Sequence, residues 1–102
     1  MAMKQKIVSS AKKRILFLPH AINQMSRPER MITPDEIREA LFNGEVIEEY
    51  PEDSRCESCL VLHTEQNRVI HVVCSPKNEY LAIITAYQPA PEQWSADYKT
   101  RR

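Results

Sequence analysis

The chain holds one glycine, Gly44, among 102 residues. Loops that cradle phosphates or dinucleotides need several glycines at fixed spacing, so P-loop and dinucleotide-binding readings are excluded. Cysteine is sparse and odd in number, with three residues, which argues against a disulfide framework. No apolar run approaches the roughly 18 residues of a membrane span. The stretch Ile15 to Leu18 is too short for a signal-peptide core, and Pro19 and His20 follow it. The expected location is therefore the cytoplasm, where thiols stay reduced. Net charge is absent too: 14 basic residues balance 14 acidic ones, which excludes a uniformly basic nucleic-acid-binding surface.

What is present is ordinary for a globular protein, with 42% apolar residues. A chain of this size buries roughly two thirds of the surface that its unfolded form exposes, enough for one core without staples. The charges are segregated. Residues 1–28 carry six Lys or Arg and no acid, whereas residues 29–57 carry ten acids and three bases. The expected organisation is a basic, partly disordered tail over residues 1–14, a single domain over 15–95, and a short C-terminal tail over 96–102.

The clearest element is Ile32 to Gly44, "ITPDEIREALFNG". Thr33 reads as an N-cap, Pro34 as the first helical residue, and Glu36 completes a capping box. Ile32 and Ile37 have staple spacing, and Ile37, Ala40 and Leu41 form an apolar stripe. Gly44 stands where a left-handed residue often ends a helix. Before it, "LPHAINQM" reads as a shorter helix with Ala21, Ile22 and Met25 on one side, broken at Pro28. After it come four strand patterns, "EVIEEY", "SCLVLH", "RVIHVVC" and "YLAIITAY", separated by polar turns. The first turn is expected over Pro51 to Asp53, and a short helix is expected around Trp94. The fold class is therefore α+β: two N-terminal helices on a four-stranded, mainly antiparallel sheet, with a short C-terminal helix or tail.

Hairpin arithmetic sets a register. A turn centred on Gln66 and Asn67 puts Leu62 opposite His71 and Cys59 opposite Cys74. A turn centred on Lys77 puts His71 opposite Ile83. Alternation then places His71, Ile83, Thr85 and Tyr87 on one face and Cys59, His63 and Cys74 on the other.

The stretch from Cys56 to Cys74 contains all three cysteines and two of the three histidines. A zinc site needs four ligands around one point. Cys56 and Cys59 have knuckle spacing, but His71 and Cys74, three apart in a strand, point to opposite faces. Cys59 and His63 lie about 13 Å apart along a strand. No metal and no cofactor is expected, and Cys59 and Cys74 read as small buried residues. Cys56 lies in the acidic run "PEDSRCES", which disfavours a reactive thiolate. His63, near a turn, reads as exposed.

In order, "HAINQM", "RPERMITPDEIREAL", "NGEVIEEYPED", "SCLVL", "HVVCSPKNEYLAIITAYQP" and a Trp resemble a family of small bacterial proteins, the domain-of-unknown-function family numbered four-two-five-eight. The resemblance spans about His20 to Trp94. Where many relatives have an Arg-Met pair, this chain has Gln24-Met25, with Arg27 and Arg30 nearby. The resemblance implies kinship with the barnase, colicin and RelE-type ribonuclease toxins. It also implies RNA as substrate and an antitoxin-like protein as partner, with no membrane role.

Metal-free RNA cleavage needs a base for the ribose 2′-OH, an acid for the leaving oxygen and cations for the phosphate. Under this resemblance the expected catalytic set is His20 as base or orienter, His71 as acid and Arg30 as phosphate clamp. Arg27, Thr85 and Tyr87 would bind substrate. Against this stands a plainer reading in which His71 is a hydrogen-bonded core residue and His20 starts its helix. Arg27 and Arg30 would then pair with Glu36 or Glu39. On that reading the domain is a non-catalytic module that binds a protein or RNA. A basic cleft holding both histidines favours the enzyme; an exposed apolar patch with the histidines buried apart favours the module.

Overall fold

The computed structural model describes residues 2–52, 57–65 and 67–102. Asp53 of the expected first turn, Cys56 of the knuckle-spaced pair and Gln66 of the hairpin turn lie outside these residues. Among them the chain forms α1 (Met3–Lys13), β1 (Ile15–Phe17), α2 (Pro19–Met25), α3 (Pro34–Asn43), β2 (Glu45–Tyr50), β3 (Ser58–Glu65), β4 (Arg68–Pro76) and β5 (Leu81–Tyr87). A single 3₁₀ turn, Pro91–Gln93, follows. The sheet has five strands in the order β1-β5-β4-β3-β2. Four are antiparallel neighbours, as expected, but β1 adds a parallel strand beside β5. The fold is thus α+β with a mixed sheet and one more strand and one more helix than expected.

The additions come from the N-terminus. Residues 1–14 were expected as a tail, yet Met3, Ile7 and Ala11 are buried in the core. Their spacing of four makes one helical stripe. Lysines surround that stripe and reach outward: Lys6 pairs with Glu57 at 2.8 Å, and Lys13 donates to the Asn78 carbonyl at 2.7 Å. The chain then turns at Arg14, whose carbonyl accepts from Leu81 N at 2.8 Å, and enters the sheet as β1.

The α3 start is built as its sequence dictates. Thr33 Oγ1 accepts from Glu36 N at 3.1 Å, and Glu36 Oε1 accepts from Thr33 N at 3.0 Å. Gly44 follows the helix but is not left-handed: its φ is −80° and ψ 178°. It is required for a different reason. A Cβ there would lie 2.4 Å from the Ala40 carbonyl oxygen, 2.7 Å from that of Leu62 and 2.8 Å from Val61 Cγ1. The helix end and β3 approach too closely for any side chain.

All three helices cover one face of the sheet. Their apolar stripes meet Cys59, Val61, Ile70, Val72, Cys74, Leu81, Ile83 and Ala86 in a single cluster. Ile22 departs from the expected stripe of α2: it is 49% exposed, and Ala21 and Met25 carry the packing. Among the described residues no α-helix covers the other face. The chain beyond β5 crosses it instead, so the stretch expected as a C-terminal tail folds back onto the sheet.

Candidate active site on the open face of the sheet

Two cross-strand rows define the open face. Glu45, Leu62, His71 and Tyr87 form one continuous row across β2, β3, β4 and β5. Glu48, Leu60, Val73 and Thr85 form the next. Two irregularities assemble them. A bulge between Val46 and Glu48 puts Glu48 on the same face as Glu45. A second, between Val73 and Cys74 opposite Ile84, keeps Thr85 and Tyr87 beside His71 while sending Ile83 to the helix side. The first hairpin follows the expected register, with Leu62 opposite His71 and Cys59 opposite Cys74. The second does not. His71 lies opposite Tyr87 rather than Ile83, because the turn sits over residues 77–80, later than assumed, and the bulge breaks the alternation.

The cluster carries a carboxylate, an imidazole, a guanidinium and two phenols. Glu48 accepts from Arg101 twice through Nε, at 3.0 Å and 3.3 Å, and once through Nη2 at 3.1 Å. Tyr50 OH donates to the same carboxylate. Burial pushes the Glu48 carboxyl up, but the hydrogen bonds from Arg101 and Tyr50, together with the positive charge of Arg101, outweigh it and hold the group below its usual range. The same setting pushes the Tyr50 phenol up to about 12, first by burial and then by the hydrogen bond to Glu48. Burial likewise raises Tyr87.

His71 is fully buried. Its Nε2 lies 3.0 Å from the Tyr98 carbonyl oxygen. A carbonyl only accepts, so Nε2 carries the proton and Nδ1 the lone pair. That Nδ1 is buried and has no hydrogen-bond partner among the described residues. Trp94 meets the ring edge-on at 4.5 Å and Tyr87 at 5.5 Å. Burial lowers the imidazole pKa; the Tyr98 bond and the Glu48 charge oppose this, and Arg101 adds to it. His71 is therefore held neutral.

The sheet divides the residues expected to act together. His71, Thr85 and Tyr87 share the open face. His20 is exposed on α2, which packs on β5 from the helix side. Arg27 is exposed and pairs loosely with Glu29 at 3.8 Å. Arg30 donates to Gln24 Oε1 at 2.6 Å. Glu36, considered as an arginine partner, is met by Arg68 at 3.4 Å. His20 and Arg30 are thus not brought to His71. Trp94 lies against the His71 ring, and Glu48 stands one row away with Arg101 and Tyr50 bound to it; the sequence reading missed all four. The signal for Glu48 was the alternation Glu45–Tyr50, readable only with the bulge in place; Arg101 had none.

Cys59 and Cys74 are buried with sulfurs 3.7 Å apart. His63 shares their face but sits half-buried near the hairpin end, 3.4 Å from Glu65. No group of three or more His, Cys, Asp or Glu among the described residues could hold a metal ion. A separate surface pocket of about 350 Å³ lies beside α1, lined by Lys6, Ser10, Lys13 and Lys77 among others. Lys6 and Lys13 are already occupied there by Glu57 and the Asn78 carbonyl.

Three helices on one face of a mixed sheet, and on the other a polar cluster covered by the chain beyond β5, define a small α+β domain. The chain belongs to the family described as Domain of unknown function (DUF4258), whose model matches residues 17–88. No curated protein and no solved structure matches it. No helix among the described residues is long and apolar enough to cross a membrane.

Proposed function

We propose that this protein is a metal-independent endoribonuclease of toxin type, acting from the open face of its sheet. The observation that carries the reading is the placement of Glu48 and His71 on adjacent rows of that face, with Arg101, Tyr50 and Tyr87 around them. In this reading Glu48 takes the place first given to His20. As a carboxylate held ionised it accepts the 2′-OH proton. His71 gives a proton to the leaving 5′-oxygen. With the face open, water returns to the imidazole and the Glu48 charge raises its pKa toward the protonated form. Thr85 and Tyr87 position the nucleotide. RNA is the substrate, and an antitoxin-like protein, implied by the resemblance to ribonuclease toxins, is the partner.

A second reading rests on the burial of His71 beneath Trp94, the arrangement expected of a non-catalytic module. Cleavage of a mixed-sequence RNA in EDTA separates the two. Wild type is compared with Glu48→Gln, His71→Gln and His20→Ala. Cleavage lost in the first two and kept in the third supports the ribonuclease. No cleavage by wild type, with the fold intact by circular dichroism, shifts the assignment to the module.

A further inference from the structure

Residues 94–101 lie over the open face as a unit. Within the segment, Ser95 N donates to the Thr100 carbonyl at 2.7 Å, Tyr98 N to the Ser95 carbonyl at 2.9 Å, and Ser95 Oγ to Asp97 Oδ1 at 2.6 Å. Arg102 N closes the base by donating to the Gln93 carbonyl at 3.0 Å. These bonds do not depend on the sheet. Trp94, 3% exposed, anchors the segment, and polar contacts add to it. Lys99 meets Glu45 at 3.1 Å, Arg101 meets Glu48, Tyr98 O meets His71, and Trp94 lies against the His71 ring. Two of these four are ion pairs on exposed or half-exposed side chains. The segment is joined to β5 through Gln88-Pro89-Ala90-Pro91, where the ladder has ended. Tyr98 has φ 61°, a left-handed conformation unfavourable for a tyrosine, and that conformation goes with presenting its carbonyl to His71.

We propose that residues 94–101 are a strap that shuts the open face, with the Arg101–Glu48 pair as its latch. The proposal deepens the ribonuclease reading and rests on it for the identity of what is shut out, RNA. In the closed state each reacting group is occupied by the strap. Both oxygens of the Glu48 carboxylate are engaged by Arg101, with Tyr50 also donating to one of them, so Arg101 stands where a ribose hydroxyl would bind. The Nε2 proton of His71 is held by Tyr98 O, and Trp94 covers the ring. The contacts that make the cluster look like core are the contacts that keep it idle. The family match, over residues 17–88, includes Glu48, His71, Thr85 and Tyr87.

Trp94 is the only tryptophan in the chain, so the strap reports on itself. The test uses the full chain, wild type and Arg101→Gln, with Glu48→Gln as a second variant that loosens the latch while leaving Arg101 over the Trp94 ring. Three quantities are measured: acrylamide quenching of Trp94, hydrogen exchange of the 95–101 amides, and binding of a fluorescein-labelled mixed-sequence RNA decamer in EDTA. The closed strap predicts that both variants raise quenching and exchange severalfold while the sheet amides stay protected. It also predicts that Arg101→Gln binds the RNA more tightly. That direction is diagnostic, since removing a cation from an uncovered surface weakens RNA binding. Unchanged quenching and exchange in both variants overturn the latch, whatever the RNA does. A loosened strap with unchanged or weaker RNA binding overturns its role as a guard of an RNA site. It then counts against the ribonuclease reading while leaving the hinge.

Discussion

Glu48 and Arg101, 53 residues apart, share three hydrogen bonds that tie the end of the chain to the second strand of the sheet. The pair is only partly shielded, with Arg101 61% and Glu48 24% exposed. Exposed ion pairs contribute about 0.2–1 kcal/mol, and the multiply bonded geometry here belongs near the top of that range. A double-mutant cycle with Glu48→Gln and Arg101→Gln, read by urea unfolding, should return a coupling of about 1 kcal/mol that shrinks in high salt. A coupling indistinguishable from zero at low salt means the contact is incidental.

Gly44→Ala should destabilise. At φ −80° an alanine is sterically allowed by the backbone itself. Reduced freedom of the unfolded chain would then favour the substitution by about 0.4–1 kcal/mol. The close approach reverses the sign, because two of the three atoms within 3 Å of the added Cβ are carbonyl oxygens of the fixed backbone. A net cost of about 1–3 kcal/mol is expected. A shift of the urea midpoint upward would show that the helix end and β3 can part without cost.

Acid should loosen the site in two stages. The His71 pKa is lowered in the folded state, so between that value and the unfolded value of about 6.5 the unfolded chain binds the extra proton. Stability is complete above about 6.5 and falls as pH drops through this window. Glu48, also lowered, contributes stability that is lost as pH falls further, through its folded value. The groups that face His71 are Tyr87, Trp94 and the Tyr98 carbonyl, with the charges of Glu48 and Arg101 acting on it. His71→Gln should abolish the upper stage and leave the lower one, as followed by unfolding free energy against pH. At the alkaline end Tyr50 is raised to about 12, so the unfolded chain loses its proton first. Stability should then fall as pH rises from about 10, less so in Tyr50→Phe.

The parts of the fold that were legible in the sequence are those fixed by neighbours in the chain. The α3 cap is written in Thr33, Pro34 and Glu36. The first hairpin is set by a two-residue connection that leaves no slack between Glu65 and Arg68. What was not legible depended on distant partners. The lysines of α1 hid a stripe of only Met3, Ile7 and Ala11, whose meaning comes from the sheet that it covers. The bulges at Ile47 and Ile84 follow from pairing across strands, and each shifts the face of the residues beyond it. Grouping His71 with Thr85 and Tyr87 survived because those two lie on the same side of the second bulge; Ile83 lies before it and was misplaced. The pairing of His20 with His71 failed because linear order does not say on which side of a sheet a helix will pack.

The two buried cysteines offer a last test. Cys59 and Cys74 face each other across β3 and β4 beneath the helices, 3.7 Å between sulfurs. The Cys74 thiol is raised well above its usual range by its hydrogen bond with Cys59, by burial and by the charge that a neighbouring thiolate would carry. A thiolate is the reactive form, so the pair should be inert while the protein is folded. In a Cys56→Ser background, iodoacetamide at pH 8 should modify Cys59 and Cys74 at least about tenfold more slowly than in urea, because reaction requires the helices to lift away. Mass spectrometry of timed quenches gives the rates. Rapid labelling in the folded protein would mean that the helix-covered face opens readily, and the core described above would not be the stable side of the sheet.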